Sequence, residues 1–474
     1  YSHSRLRSPT LILSQIALFA VGLSPYLWLL IASGRFRSWG DTGSIYGALT
    51  HILRMEYGTF RLANTNVNTD IPYFNRILFY FGDLLTQSSH FAAALAVYAM
   101  KVEGHQRTIQ LLILDLIVYI VTFSSLNNLD LSDRLLVGVQ QRFFQQPFMI
   151  ICFLAGVGYD RLSKTISANI HHLGLAFLAL HVALSHPNGD PGMVQQYSKS
   201  ILDSLPSGSL VLASGDLIVH PLYYLQSCEG VRSDINVIAV PNLATYWYVK
   251  QQAKYASGVE FPGEYLHSEW PGFTAAKFLQ ANSNGREIIS CGGGLLAAGE
   301  SPDTLNSQFR AIPFGICSRV VPASAANGNQ TRVLETAYEN LIIGTRPERN
   351  YPDNSWEKAV VDHRNGKLCS LFNVVYDVAF ASHGHDVFTL LKLGATLFQR
   401  IKPVVESGNG GLDARTFFVR GADIFGHLSR VQRHPFEEMM LEALRASLRH
   451  GHDREVEAIV TQSTNPYLKT MMVT

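Results

Sequence analysis

Two carboxylates and two guanidiniums stand close together early in the chain: Asp41, Arg54, Glu56 and Arg61. A carboxylate can accept the proton of an attacking hydroxyl, and a guanidinium can hold an anion through charge-assisted hydrogen bonds. In that reading Asp41 and Glu56 face a site at a membrane surface, and Arg54 and Arg61 hold an anionic group there. Each residue also has a plainer role. The run 43–55 has helical spacing through Ile45, Leu49, Ile52 and Leu53, so Asp41 can equally cap that helix. Arginines beside Trp39, Tyr57 and Phe60 also suit simple anchoring at headgroup level, where aromatic rings collect.

A second group of charges lies further on. Arg134 and Arg142 would be separated by about 80° of rotation on a single helix. Both can face a phosphate, or they can pair with Asp130 or Asp133. Asp115 falls inside an apolar run, and an ionisable group in a membrane helix is a functional candidate by default. Its alternative is a buried polar contact with Thr86, Gln87 or His90. The chain has no Asp-x-Asp pair, so no metal is expected, and no motif calls for a bound cofactor. Cys228, Cys291 and Cys317 are disulfide candidates in an oxidising compartment, with buried free thiols as the alternative. Asn329-Gln-Thr331 is the only N-x-S/T sequon and would carry a glycan if its loop is luminal.

The elements that must position these residues follow from the distribution of charge. Only 16% of the 474 residues are charged, against about 25% in an average soluble domain. The deficit is uneven: the first 186 positions hold 22 charged residues and the remaining 288 hold 53. Two regions in different solvents are implied. A net charge of +1 offers no concentrated basic patch, so no nucleic-acid partner is expected. The run 11–33 contains 23 residues without a charge, enough to cross a bilayer, and Pro25 within it is tolerable in a packed membrane helix. Weaker apolar runs cover 77–100, 108–123, 143–158 and 166–185. Together they predict an α-helical multispan membrane domain of about five spans over 1–186.

Short connections carrying Arg5, Arg7, Lys101, Arg107, Arg161 and Lys164 would then be cytoplasmic by the positive-inside rule. Loops 34–75 and 124–142, and everything after 186, share the other side. Beyond the turn-rich Pro187-Asn-Gly-Asp-Pro-Gly, strands at 209–213, 234–240 and 287–291 alternate with helical stretches, one of them near 221–228. This pattern predicts an α/β domain over 187–345. Cys291-Gly-Gly-Gly294 reads as a tight turn more readily than as a phosphate loop, because Gly-Lys-Ser/Thr is missing. Ser214-Gly-Asp216 reads as a strand-to-helix turn or the lip of a ligand crevice. From about Leu368 the pattern turns helical, through 388–401, 414–431 and 435–449, and predicts a helical, tetratricopeptide-like region over 346–474.

Several segments resemble successive parts of the transmembrane protein 260 family: SWGDTGSIYGALTHILRMEYGTFRL, NLDLSDRLLVGVQQRFFQQ, and YYLQSCEGVRSDINVI with GVEFPG. The resemblance implies a membrane-embedded glycosyltransferase of the GT-C type, multi-pass in the endoplasmic-reticulum membrane with its soluble portion luminal. The implied reaction is protein O-mannosylation. The donor would be dolichyl phosphate mannose, and the acceptors Ser or Thr of folded receptor ectodomains, the IPT domains of plexin-type receptors. Arg54, Arg134 and Arg142 would bind the donor phosphate. The resemblance also implies an N-terminally truncated chain, whose principal catalytic aspartate lies upstream of Tyr1; within the chain Asp41 and Glu56 are the candidates. Two rival readings are a transporter or channel built on Asp83 and Asp115, and an inactive membrane-anchored scaffold.

Overall fold

The computed structural model describes residues 9–53, 55, 72–127, 134–165, 189–325, 328–343, 351–381, 387–407 and 413–431, with scattered positions in 172–183 and 439–446. The chain divides into two compact units. Tyr1–Gly189 with Tyr351–Ser355 form the first, and Asp190–Asn350 with Trp356–Thr474 form the second.

The first unit is helical. Its elements are α1 (Pro9–Gly22), α2 (Leu27–Ala32), α3 (Ile45–Ile52), α4 (Tyr73–Gln87), α5 (His90–Glu103), α6 (Arg107–Leu126), α7 (Arg134–Gln141) and α8 (Gln145–Ser163). The run 11–33 is not one straight helix. Pro25 has no N–H to donate and crowds the preceding turn, so a 3-10 turn at Ser24–Tyr26 intervenes and the two arms bend by 40°. The run 77–100 is likewise two helices. Ser89 takes a positive φ of 63° and caps α5 by accepting the N–H of Ala92 at 3.2 Å. Among the described residues one helix, α6, is long and apolar enough to cross a membrane, or two if the bent pair counts as a span. This departs from the five expected spans. Run 166–185 lies largely outside the described residues, and α8 carries polar and charged residues at both ends.

The core of this unit is the α5–α8 contact. Ala92, Ala96 and Ala99 of α5 are buried with Leu154 and Ala155 of α8. At Gly158 the backbones come so close that an added Cβ would lie 2.1 Å from the Leu95 carbonyl oxygen. Small residues permit that approach, as in membrane helix pairs generally. The two helices end together where Arg161 pairs with the buried Glu103 carboxylate, which also accepts from Gln106. The connections after α5 and α8, assigned to one side by their cations, therefore meet. At the opposite end Tyr73 Oη donates to the Val121 carbonyl at 3.1 Å and Arg76 to the Asn127 carbonyl at 2.6 Å, which joins the start of α4 to the end of α6.

The second unit contains α9 (Pro191–Ser204), β1 (Leu210–Ala213), α10 (Asp216–Cys228), β2 (Asn236–Ala239), α11 (Tyr246–Tyr255), α12 (Ala275–Asn282), β3 (Ile288–Cys291), α13 (Pro302–Gln308), β4 (Phe309–Phe314), β5 (Cys317–Pro322), α14 (Gln330–Ile342), α15 (Trp356–Ala381), α16 (Val387–Glu406) and α17 (Ala414–Val431). The sheet order is β2-β1-β3-β5-β4. Leu210 pairs in parallel with both Asn236 and Ile288, while β3–β5 and β5–β4 are antiparallel. The wholly apolar β1 is buried at all four positions, as a central parallel strand should be. The helical portion begins at Trp356 rather than near Leu368, and α16 extends through Pro403 to Glu406. Most of the expected helix 435–449 lies outside the described residues. Phe372, Phe398, Phe417, Phe418 and Phe425 form the aromatic core between α15, α16 and α17.

Candidate functional site

The Trp39–Gly43 turn is shaped by its neighbours before any chemistry is considered. Thr42, almost wholly buried, donates its hydroxyl to the Leu29 carbonyl at 2.9 Å. Gly47 allows the Asp41 carbonyl to press on the first turn of α3, where a Cβ would approach it to 1.7 Å. Ser44, extended at φ −126°, is the true cap of α3: its hydroxyl accepts the N–H of Gly47 at 3.0 Å. The capping role considered for Asp41 is thus taken by Ser44, three residues before the N–H it accepts, which is the ordinary capping distance. Asp41 is exposed, and its carboxylate has no partner among the described residues. Sequence reasoning overlooked His51. Its Nδ1 lies 3.4 Å from where a Cβ on Gly40 would be, so an imidazole flanks the turn that holds Asp41.

The second loop organises a polar relay. Asn354 donates to Gln141 at 2.9 Å, Gln141 donates to Asp83 at 3.0 Å, and Gln87 donates to the other Asp83 oxygen at 2.8 Å. Close passage of Asn354 requires Gly138, whose added Cβ would meet the Asn354 carbonyl at 2.4 Å. Beside the relay, Tyr80 packs edge-on against Phe144 at 4.2 Å, and Tyr119 donates to the Phe143 carbonyl at 2.8 Å. Tyr80 Oη, Ser124 Oγ and Gln140 Oε1 are buried with no hydrogen-bond partner among the described residues. Such atoms cost roughly 1–3 kcal/mol each when left unpaired. No single-sequence signal marks Asn354 as a member of this group, because it arrives from more than two hundred positions away.

Arg142 sits on the 3-10 turn after α7, exposed, with its guanidinium 5.2 Å from the Phe143 ring centre and no ion pair among the described residues. That leaves its fork open to an anion. No hydrogen bond or ion pair joins it to the Asp41 turn among the described residues. Arg54, Glu56 and Arg61 lie outside the described residues, as does the Arg134 side chain. Asp115 is exposed on α6 among Leu111, Leu114 and Val118. The buried contact considered for it is not made: Thr86 donates to the Gly82 carbonyl and Gln87 to Asp83. Among the described residues no three His, Cys, Asp or Glu side chains group closely enough to hold a metal ion.

In the second unit Cys291 and Cys317 are joined in a disulfide across β3 and β5, and Cys228 is an exposed free thiol. The Cys291-Gly-Gly-Gly294 segment is a packing turn. Gly292, at φ +85°, lies so near the Ser214 carbonyl that a Cβ would approach to 2.1 Å. Asn329 is the exposed cap of α14, accepting the Arg332 N–H at 3.1 Å, at a cavity of about 290 Å³ that Phe314, Arg319 and Thr336 also line.

A family model described as TMEM260-associated domain 2 matches residues 194–270, from α9 into the loop after α11. A Mus musculus protein named Protein O-mannosyl-transferase TMEM260 is 28% identical over 375 residues, covering 73% of this chain and 52% of that protein. A Dictyostelium discoideum protein named Protein O-mannosyl-transferase tmem260 is 27% identical over 430 residues, covering 82% of this chain and 52% of that protein. The chain spans about half the length of the curated relatives it matches. No solved structure matches.

Proposed function

The chain belongs to the transmembrane protein 260 family, and from that premise we propose that it is the body of a protein O-mannosyltransferase, a glycosyltransferase embedded in the endoplasmic-reticulum membrane. The single observation carrying this reading is the name borne by both relatives, whose similarity runs over most of this chain. The donor would be dolichyl phosphate mannose and the acceptor a Ser or Thr hydroxyl on an IPT domain of a plexin-type or related receptor. The acceptor oxygen bonds to the sugar anomeric carbon as the carbon–phosphate oxygen bond breaks, and the hydroxyl proton passes to a carboxylate. Within the described residues Asp41 supports the second role by being free of helix capping. Arg142 supports the phosphate role by being free of ion pairs, with Arg54 and Arg134 as its companions; a fixed cation there stabilises the departing charge. The unit would span the membrane several times, with loops 34–75 and 124–142 facing the lumen. The helices after Trp356 would present folded acceptors as a repeat-like array.

Mass spectrometry of receptor IPT domains from cells lacking this protein tests the reading. Loss of O-mannose from at least one such domain, restored by the full-length protein, is the expected result. Unchanged O-mannose on every domain would falsify it.

A further inference from the structure

We propose that the face shared by α9, α15 and α16 in the second unit is a binding site for a phosphate-type anion, independent of the transferase reading. The buried stripe of α15 runs through Val360, Leu368, Leu371 and Phe372. His363, Arg364 and Lys367 fall at the third, fourth and seventh positions after Val360, where a helix of this kind normally continues its apolar face. Their charge is therefore half-buried rather than displayed to solvent. Tyr197 of α9, buried, bonds its hydroxyl to His363 Nδ1 at 2.6 Å. Arg364 lies over the same ring, its Cζ 5.6 Å from the centroid. Arg400 of α16 adds a further positive charge close enough to act on Arg364.

No carboxylate neutralises this group among the described residues. Glu357 accepts the Asp190 backbone N–H at 3.0 Å, and Asp362 is held by Lys358 at 2.5 Å. Arg364 Nε is buried with no hydrogen-bond partner among the described residues. Burial lowers the pKa of Arg364, opposed by Tyr197 and reinforced by the Arg400 charge, and burial lowers that of Lys367. Burial, then the Lys367 charge, pushes His363 down to about 4. His363 is thus neutral near pH 7. In the tautomer whose Nδ1 accepts from Tyr197, the ring proton sits on Nε2 as a further donor. Cations held together and partly desolvated are unfavourable unless an anion joins them. A guanidinium fork, an ammonium and a neutral imidazole N–H make a donor set suited to phosphate oxygens. The phosphate could be free or part of a lipid headgroup; the recognition chemistry is the same.

The test uses the full chain in detergent micelles, with inorganic phosphate titrated against chloride at matched ionic strength. Phosphate, and not chloride, should raise the melting midpoint, and R364Q and K367Q should each weaken the phosphate effect roughly tenfold or more. R364K should retain part of it. A second measurement needs no substitution: the His363 ring resonance should titrate at higher pH when inorganic phosphate is present. Displacement of phosphate by a water-soluble short-chain phosphatidate assigns the site to a headgroup, and failure to displace assigns it to a free phosphate. Equal responses to phosphate and chloride together with an unshifted His363 titration would overturn the site. So would a K367Q variant that melts normally and binds phosphate as the parent does. Mannose transfer measured on the same variants keeps the two readings separate, because neither residue is placed in the transfer machinery.

Discussion

Asp41 gains its interest from Ser44. Because the serine hydroxyl takes the Gly47 N–H at 3.0 Å, the aspartate carboxylate is left exposed at the lip of the turn instead of closing a helix. Replacing it with Asn keeps the size and removes the proposed base. We expect D41N to lower mannose transfer by about 10²–10⁴-fold with little change in melting, as read by transfer into an acceptor domain per unit of folded protein. Ser44→Ala instead should cost roughly 1 kcal/mol of helix stability, visible in urea unfolding. In the second unit Arg232, at a positive φ of 50°, donates to the carbonyls of Leu202 and Leu205 and to both oxygens of Asp234. That guanidinium, followed by the Gly208 N–H and the Ser207 hydroxyl, holds the Asp234 carboxyl well below the usual carboxylate range. Its stabilisation is complete above the unfolded value of about 3.9 and is lost as pH falls through the lower folded value. The parent should therefore lose stability more steeply than D234N below about pH 4 in urea melts; parallel curves would refute the pairing.

At the scale of elements, packing distance decides what each helix can do. Gly158 lets α8 approach the Leu95 carbonyl, and Gly158→Leu must push the helices apart. Overpacking of this kind costs about 1–3 kcal/mol, and a lowered melting midpoint with unchanged helix content is the expected readout. Strands β1, β2 and β3 were legible in the sequence because each is a short, nearly continuous apolar run in a parallel sheet. The hairpin of β4 and β5 was not, since Arg310, Pro313 and Arg319 interrupt any alternating pattern and only pairing along a neighbour makes those segments strands. The split of 77–100 was half legible. The polar Thr86–His90 stretch was visible as an interruption, but a reversal at Ser89 depends on a backbone conformation that composition does not reveal.

At the scale of the molecule, the disulfide ties the antiparallel side of the second unit's sheet to its parallel side. Cys291 and Cys317, 26 residues apart with Cα atoms 4.3 Å from each other, close a loop whose restriction in the unfolded chain is worth about 3–4 kcal/mol. The double variant C291S/C317S should lose stability of that order in non-reducing urea melts, whereas Cys228→Ser should be nearly neutral. The sequence by itself determined the uneven distribution of charge along the chain, because scarcity of charge and runs of apolar residues are local properties. It also carried the resemblance to the transmembrane protein 260 family, since those segments retain their order. Only the tertiary structure decided which cysteines pair, that Ser44 and not Asp41 caps α3, and that Asn354 joins Asp83. It alone placed Arg364 of α15 over the Tyr197 ring, with no carboxylate paired to it among the described residues. Such contacts join residues distant in the chain, and their energies depend on distance and burial, which exist only once the chain has folded.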